Sequence, residues 1–508
     1  MRTTPPKSSH AAPDNSLGIL SWLIFLQLSL WSVIPFLTSD TLPLDVIREG
    51  LSWGQEWQAG YHKHPPLVSW AANFAYERLG DFGPYLLSQI CIVVTYICTF
   101  KTARFYLPPE KAVLAVVMLT GIYYFSWPTP EFNHNVAQMP VWALIIFLFH
   151  KVILDQDQRA WLPIGGAIGL GILIKYSSLI LPFLMLVYLI FRNRFFTVLR
   201  SPYPYLGIVI ALLITHQHVM WLISNNFITL TYLGDRGAAT SGHAAAAIAA
   251  AKFVLAQLAD HLPLLIILGL CGLLKPRCWA APQSVKPRFD LLLLCGVGPC
   301  LIAVMVALIA GISLRDMWGA PMWSLSGIMV MLLLGDALDR TKTAVLLRAF
   351  LVMFVVIVSL FAIANLFGSR VTGKPLRTDW PAATIAARFD RVWETATACP
   401  LTVVAGENWL AGLVSAKGQH RPSVWINGDS AISPWIDSQR IDASGALALW
   451  IDGDSQKQRL LDRLEAFGPV IDGGAESFIW EKNQSITPLV IRWAMIKPTA
   501  CRQSMSQK

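Results

Sequence analysis

Long apolar runs alternate with short polar ones along the first three quarters of the chain. The runs fall near 17–37, 84–100, 112–127, 136–153, 161–175, 176–192, 204–224, 257–274, 289–313, 318–335 and 346–367. Runs of about 20 apolar residues cross a hydrocarbon core ~30 Å thick, so the pattern predicts about eleven transmembrane helices. The first run, "LGILSWLIFLQLSLWSVIPFL", is too long for a signal-peptide core and no small-residue cleavage site follows it, so it reads as an anchor. With the N-terminal tail inside, the inside loops are "FKTARFYLPPEK", "HKVILDQDQRAW", "FRNRFFTVLR", "LKPRCWAAPQSVKPRF" and "DALDRTKTAVLLR", each with at least two Lys or Arg. Basic residues favour the cytoplasmic side, so this orientation is the expected one. The outside segments are then 38–83, 128–135, the turn at Lys175, 225–256 and 314–317, and an odd helix number puts the C-terminal region outside too.

After residue 369 the pattern changes period. Short β-like runs ("PLTVVAG", "PSVWING", "ALALWID") alternate with helix-like ones ("NWLAGLVSAKG", "SQKQRLLDRLEAFG"). That alternation predicts a small α/β unit. The expected fold class is mainly α: a polytopic helical membrane protein with a small extracytoplasmic α/β domain. Its parts are a cytoplasmic tail at 1–16, a membrane domain at 17–369 with its first outer loop at 38–83, and the α/β domain at 370–508. No GxGxxG or GxxxxGK stretch occurs in the α/β part, so no nucleotide site is indicated. No internal repeat stands out, which weakens a transporter reading.

Composition sharpens this picture. The 508 residues are 55% hydrophobic and 14% charged, with 20 Trp. Soluble domains carry about 25% charged residues. The net charge of +9 is spread over the short loops rather than gathered into a basic face, so nucleic acid is excluded as a partner. Of the eight cysteines, Cys91, Cys98, Cys271, Cys295 and Cys300 lie in apolar runs, Cys278 lies in a basic loop, and no CxxC pair occurs. Cys399 and Cys501 flank the polar C-terminal region. They suit a disulfide in an oxidising compartment, or two free thiols equally well.

The unusual polar clusters all fall on the outer side. In "LDVIREGLSWGQEWQAGYHKHPPLVSW", Asp45 and Glu49 are four apart and share a face of any helix. A carboxylate there can accept a proton from an attacking hydroxyl, or serve only as a charge at a helix N-terminus. In "GYHKHPPL", Pro65 and Pro66 rule out a regular helix and give a rigid loop that aims Tyr61, His62, Lys63 and His64. Lys63 suits a phosphate, or snorkels among interfacial tryptophans. The stretch "SWPTPEFNHNVAQMP" offers Glu131, Asn133, His134 and Asn135, suited to sugar hydroxyls, with Asn135 as a rival helix cap. "THQHVMW" puts His216 and His218 at the outer end of a span, where an ionisable residue reads as functional, although i, i+2 spacing is poor for a shared metal. Lys175 in "GAIGLGILIKYSS" and Arg315 in "SLRDMWGAPMW" join Lys63 as cations on the side that basic residues normally avoid, ready for an anionic headgroup.

These blocks, in the order early Asp, "GYHKHPPLVSW", "FNHN", "GLGILIKYSS", "RDMWGAPMW", resemble the GT-C glycosyltransferases of the protein O-mannosyltransferase superfamily. In kind they are similar to aminoarabinose lipid A transferases and rhizobial lipopolysaccharide galacturonosyltransferases. The resemblance covers roughly residues 15–370 and is most specific in "KHPPL..W". It implies a multi-pass enzyme of the cell inner membrane with its active site facing the periplasm. It implies a polyprenyl-phosphate sugar donor and a lipid or glycan acceptor of the lipid A or lipopolysaccharide type. Asp45 matches the family's early catalytic aspartate, with Glu49 as its partner. Lys63 matches the donor-phosphate lysine, with Lys175 and Arg315 as further cations. Tyr61, His62, His64, Glu131, Asn133, Asn135 and Trp318 are the expected substrate contacts. A divalent metal is the one cofactor the resemblance brings, with His62, His64 and His216 in reach and His216 taken as its ligand. Two departures are visible: many members have directly adjacent acids in the first loop, and many have an Asp where this chain offers Asn133 or Asn135. The rival readings are a transporter or flippase of lipid-linked sugars, a protein O-mannosyltransferase, and a surface-polysaccharide polymerase or ligase.

Overall fold

The computed structural model describes residues 16–237, 242–275, 278–279, 286–455 and 457–499. Each apolar run maps onto helical chain, and the protein is multi-pass. Among the described residues, five helices are long and apolar enough to cross a membrane: Ser16–Thr38, Phe82–Ala103, His134–Asp155, Tyr203–Ser224 and Thr341–Thr372. Three further apolar helix pairs are bent at a short break, by 45° after Asp260, 45° after Gly296 and 58° after Trp323; with each pair taken as one span the described residues hold up to eight, fewer than the eleven expected from the apolar runs. Gln158–Ile174 and Tyr176–Phe191 are shorter apolar helices, parted at Lys175, whose backbone is extended.

The expected helix at 112–127 is not continuous. The α-helix Pro109–Val117 gives way to a 3-10 turn over Met118–Gly121, then extended Ile122 and a second 3-10 turn over Tyr123–Phe125. A side chain on Gly121 would lie 2.9 Å from the Phe350 ring and 3.1 Å from the Leu264 backbone. The run is buried apart from exposed Tyr123 and half-buried Trp127, and irregular backbone at membrane depth is tolerated only inside protein. The expected outer loop 225–256 also differs, since it holds the helices Ile228–Gly237 and His243–Asp260. Its alanine-rich half, "HAAAAIAAAKF", is strong helix former with too little bulk to read as a span.

Small and amide residues lock the spans together. A Cβ on Gly165 would sit 2.0 Å from the Gly207 carbonyl oxygen, so the helices Trp161–Ile174 and Tyr203–Ser224 touch backbone to backbone. Buried Gln27 donates to Gln89 at 2.8 Å, which in turn donates to the Thr129 carbonyl at 3.0 Å. That chain ties the first span to the second and to the loop that carries Glu131.

The C-terminal part forms a five-stranded mixed sheet of order β2-β1-β3-β5-β4. The three anticipated strands, β1 (Val403–Gly406), β2 (Ser423–Ile426) and β3 (Ala446–Ile451), are parallel. Strands β4 (Ile471–Phe478) and β5 (Leu489–Ile496) add an antiparallel hairpin that the sequence pattern did not single out. Cys399 is disulfide-bonded, and Cys501 lies outside the described residues. The sheet unit is not a tethered appendage. One apolar cluster runs from Leu42, Val46, Ile47, Trp53 and Tyr61 of the first outer loop into Trp380, Phe389, Trp409 and Val414.

Lys482 pins the same junction. Its ammonium lies 3.0 Å from the buried Asp379 carboxylate and 2.7 Å from the Thr38 carbonyl at the end of the first span. Removing one partner of a buried pair leaves an uncompensated charge and costs about 3–5 kcal/mol. Lys482→Met is therefore expected to destabilise the protein by about 3 kcal/mol, read as a clearly lowered thermal midpoint in detergent. An unchanged midpoint would remove this pair from the account of how the sheet unit is held.

Candidate active site

The site is built on a widened turn. Val46–Leu51 is a π-helix with Asp45 at its N-terminal cap. Such wide turns are rare and recur at functional sites. The turn is wedged between the sheet unit and the helix Leu67–Leu79: Val46 and Ile47 are fully buried, and a Cβ on Gly50 would meet Ala72 at 2.9 Å. Glu49 therefore points away from the core and toward the loop that follows.

That loop is pinned by its aromatic residues rather than by its prolines alone. Tyr61 stacks on Trp53 at 5.1 Å, donates its hydroxyl to the Trp53 carbonyl at 2.8 Å, and its own carbonyl accepts from Thr229 at 2.8 Å. Tyr61 is 1% exposed and thus holds the loop instead of meeting substrate. His218 bridges the Ala59 carbonyl at 2.7 Å and the Tyr176 hydroxyl at 2.8 Å, fixing the loop to two spans. His62 packs on Trp53 and Tyr232. Burial, then the nearby Lys63 and Arg48 charges, push its pKa down to about 3, so it is neutral.

With the loop fixed, Lys63 and His64 meet Glu49. The Lys63 ammonium is 3.4 Å from Glu49 Oε1, and His64 Nε2 is 3.8 Å from Glu49 Oε2. His134, from the first turn of the helix His134–His150, places Nδ1 3.5 Å from the same Oε2. The His64 and His134 rings lie 3.9 Å apart. Glu49, His64 and His134 each offer a ligand atom within 4.8 Å of the others. His134 Nε2 is buried with no hydrogen-bond partner among the described residues. Two imidazoles and a carboxylate suit a divalent ion such as Zn²⁺, so the residues fit a metal.

Asp45 stands at the other side of this group. Its backbone N–H donates to Glu131 Oε1 at 2.8 Å. Burial, and then the Glu49 charge, raise the Asp45 pKa, while Arg48, Lys63 and Lys175 pull it down. Burial and the Asp45 charge raise Glu131. The charges of Glu49, Arg48, Lys63 and Lys175 thus all act on Asp45, and those of Asp45 and Glu49 on Glu131. Lys175 donates to Asn135 Oδ1 at 2.8 Å and lies 5.6 Å from the Trp318 ring.

The expected residues therefore divide. Asp45, Glu49, Lys63, His64, Asn135, Lys175 and Trp318 form one connected site. Glu131 anchors the Asp45 backbone. Asn133, not Asn135, caps its helix, accepting from Asn135 N at 2.9 Å and Val136 N at 3.2 Å, so its side chain is already engaged. Arg315 is exposed at the start of a 3-10 turn. His216 does not reach the cluster. It is exposed and turns back to the Leu213 carbonyl at 2.7 Å, while His218, two residues on, faces inward. Among the described residues the group that could hold a metal is Glu49, His64 and His134, without His216. His134 was visible as an ionisable residue at the mouth of a span, but its meeting with His64 depends on folding across 70 residues. Arg48 was missed as well. Its guanidinium lies 3.5 Å from Glu407 of the sheet unit.

The model for dolichyl-phosphate-mannose-protein mannosyltransferases matches residues 63–221, the stretch from Lys63 to Trp221. The lipopolysaccharide core galacturonosyltransferase RgtB of Rhizobium johnstonii is 26% identical over 419 residues, 77% of this chain and 80% of that protein. The lipid A galacturonosyltransferase RgtD of the same organism is 25% identical over 166 residues, 31% of this chain and 34% of that protein. ArnT from Cupriavidus metallidurans, in a crystal structure bound to undecaprenyl phosphate, superposes with a TM-score of 0.64 at 14% identity, over 95% of this chain and 98% of that one. Its apo structure gives 0.59 at 13% identity, over 93% and 98%. Fold and sequence together make this chain similar to the GT-C glycosyltransferases of the protein O-mannosyltransferase superfamily. Among them it resembles ArnT in architecture and RgtB in sequence.

Zinc titration of chelator-treated protein is expected to reveal a site that His134→Ala weakens at least about tenfold. His216→Ala is expected to leave it unchanged. Loss of zinc in His216→Ala alone would place the metal elsewhere.

Proposed function

We propose that the chain is a GT-C glycosyltransferase that moves a sugar from a polyprenyl-phosphate donor to lipid A or the lipopolysaccharide core, at the periplasmic face of the inner membrane. The observation that carries this is the buried meeting of Asp45, Glu49 and Glu131 with Lys63, Lys175 and Arg48. Acid and cation side by side suit a reaction that takes a proton from one oxygen and leaves charge on another. RgtB and RgtD are galacturonosyltransferases of lipopolysaccharide core and lipid A, which makes a galacturonosyl donor the first to test, and ArnT's bound undecaprenyl phosphate points to the lipid carrier. The Lys and Arg bias of the inside loops supports the orientation.

The reaction is a direct displacement. An acceptor hydroxyl or phosphate oxygen forms a bond to the anomeric carbon. The bond from that carbon to the donor phosphate breaks, and the lipid phosphate leaves with the electron pair. Asp45 takes the proton of the attacking group, or orients an acceptor already ionised. Lys63, with Lys175, offsets the charge that grows on the leaving phosphate. Asn135 holds the Lys175 ammonium at its present height, and Trp318 offers an aromatic face beside it. Zn²⁺ on Glu49, His64 and His134 would supply a further positive charge for a phosphate group.

Asp45→Asn is expected to abolish transfer, measured as the sugar's mass increment on lipid A or core by mass spectrometry, with protein level and thermal midpoint intact. Near wild-type turnover would sink the assignment of Asp45.

The pH dependence has a fixed sign. Asp45 must be ionised to act, and its carboxyl is raised above the ordinary value, so turnover falls as pH drops through a point above the usual carboxylate range. Arg48 opposes that rise. Arg48→Gln is expected to move the acid limb of the pH–rate profile upward by about one unit. A limb that stays put or moves down would contradict the electrostatic account.

A further inference from the structure

The sheet unit touches the site at one well-defined place. The helix Asn408–Lys417 is buried along almost its whole length, with the sheet on one side and the π-turn on the other. Its first residue, Asn408, is 3% exposed and inserts into the turn. Its Nδ2 donates to the Arg48 carbonyl at 3.0 Å, and its Oδ1 accepts from Ser52 Oγ at 3.3 Å. Both partners belong to the turn and its C-terminal cap, and Ser52 is fully buried. Glu407, just before it, accepts from Trp409 N at 2.8 Å with one carboxylate oxygen and faces the Arg48 guanidinium at 3.5 Å with the other. One turn further along, a Cβ on Gly412 would come within 2.9 Å of Ile47 Cγ2. The helix thus grips the turn at a carbonyl, at a hydroxyl, and through a contact that leaves no room for a side chain.

These contacts have a direct consequence for the carboxylates. Asp45 and Glu49 sit on either side of Arg48 in sequence, so the orientation of the peptide whose carbonyl Asn408 holds decides how both acids are presented. Ordinary α-helical winding would turn Glu49 by part of a turn relative to Asp45. A π-turn is costly for backbone alone and is held where outside partners supply bonds.

We propose that Asn408 is a positioning residue for the sugar-transfer site: through the Arg48 carbonyl and Ser52 it holds the wide turn that presents Asp45 and Glu49 to Lys63 and the two histidines. This rests on the reading of Asp45 as the group that acts on the acceptor. On this view the C-terminal unit is a clamp on the membrane-surface loop and is required for turnover, though it contributes no atom to the reaction.

The test uses the full-length protein in detergent or proteoliposomes with a polyprenyl-phosphate sugar donor. Misplacing a reacting group by about 1 Å costs roughly a hundredfold in rate. Asn408→Ala is expected to lower kcat at least about tenfold while KM for the donor stays within about threefold. Asn408→Gln, which keeps the amide, is expected to recover part of that loss. Gly412→Ala, which acts on Ile47 from the other end of the same contact, is expected to lower kcat in the same way. Unchanged kcat in Asn408→Ala overturns the proposal. So does a loss seen only as less folded protein, with normal kcat per folded molecule, because that is stability and not positioning. Asp45→Asn is run beside them. If it loses turnover while Asn408→Ala does not, the clamp alone is wrong. If it keeps turnover, the reading of the site itself is wrong.

Discussion

Everything in this structure is arranged around the cost of placing Asp45, Glu49 and Glu131 together out of water. Like charges in one buried site cannot all ionise freely, and burial alone pushes the Asp45 and Glu131 carboxyls up. The chain answers with cations from three different places in the sequence. Lys63 comes from the loop after the turn, Lys175 from the break between two spans, and Arg48 from the turn itself. Each is already held by something else: Lys63 by Glu49, Lys175 by Asn135 and the Trp318 face, Arg48 by Glu407. A site balanced in this way has polarity without mobility, which is what electrostatic stabilisation of a developing charge needs.

The break at Lys175 shows how the membrane fold serves that balance. A continuous helix through "ILIKYSSLI" would bury the ammonium among apolar neighbours. Extended backbone at Lys175 instead turns it toward Asn135, while Tyr176 reaches His218, which in turn holds Ala59 of the outer loop. A single interruption in an apolar run thus sets both a cation and the loop that carries another.

Much of this was legible in the sequence. The alternation of apolar runs and basic loops marked a multi-pass helical protein but overcounted its spans, because the run at 112–127 is broken into short turns, and "KHPPL" and the early Asp marked the first loop as the place to look. What sequence could not give was contact between distant segments. His134 reads as one polar residue among four in "EFNHN" until it is found against His64 and Glu49. His216 and His218 look equivalent in "THQHV", yet one faces outward and one inward, because i, i+2 on a helix are about 200° apart. Tyr61 and His62 look like substrate contacts because they are polar-capable residues beside a lysine, but packing on Trp53, Tyr61 stacked and His62 edge-on, takes them into the core. The hairpin β4–β5 was missed because its first strand, "IDGGAESF", is glycine-rich and mostly exposed, with little of the alternation that marks a strand.

The central claim is that this cluster carries out sugar transfer from a lipid phosphate on the outer face. The most direct measurement reconstitutes the purified protein in proteoliposomes with a polyprenyl-phosphate galacturonosyl donor and a lipid A or lipopolysaccharide-core acceptor. Mass spectrometry then follows both lipids. The account predicts that the acceptor gains one sugar for each free polyprenyl phosphate released. Passage of intact donor across the bilayer, with no mass gain on the acceptor, would contradict it and favour a carrier of lipid-linked sugars.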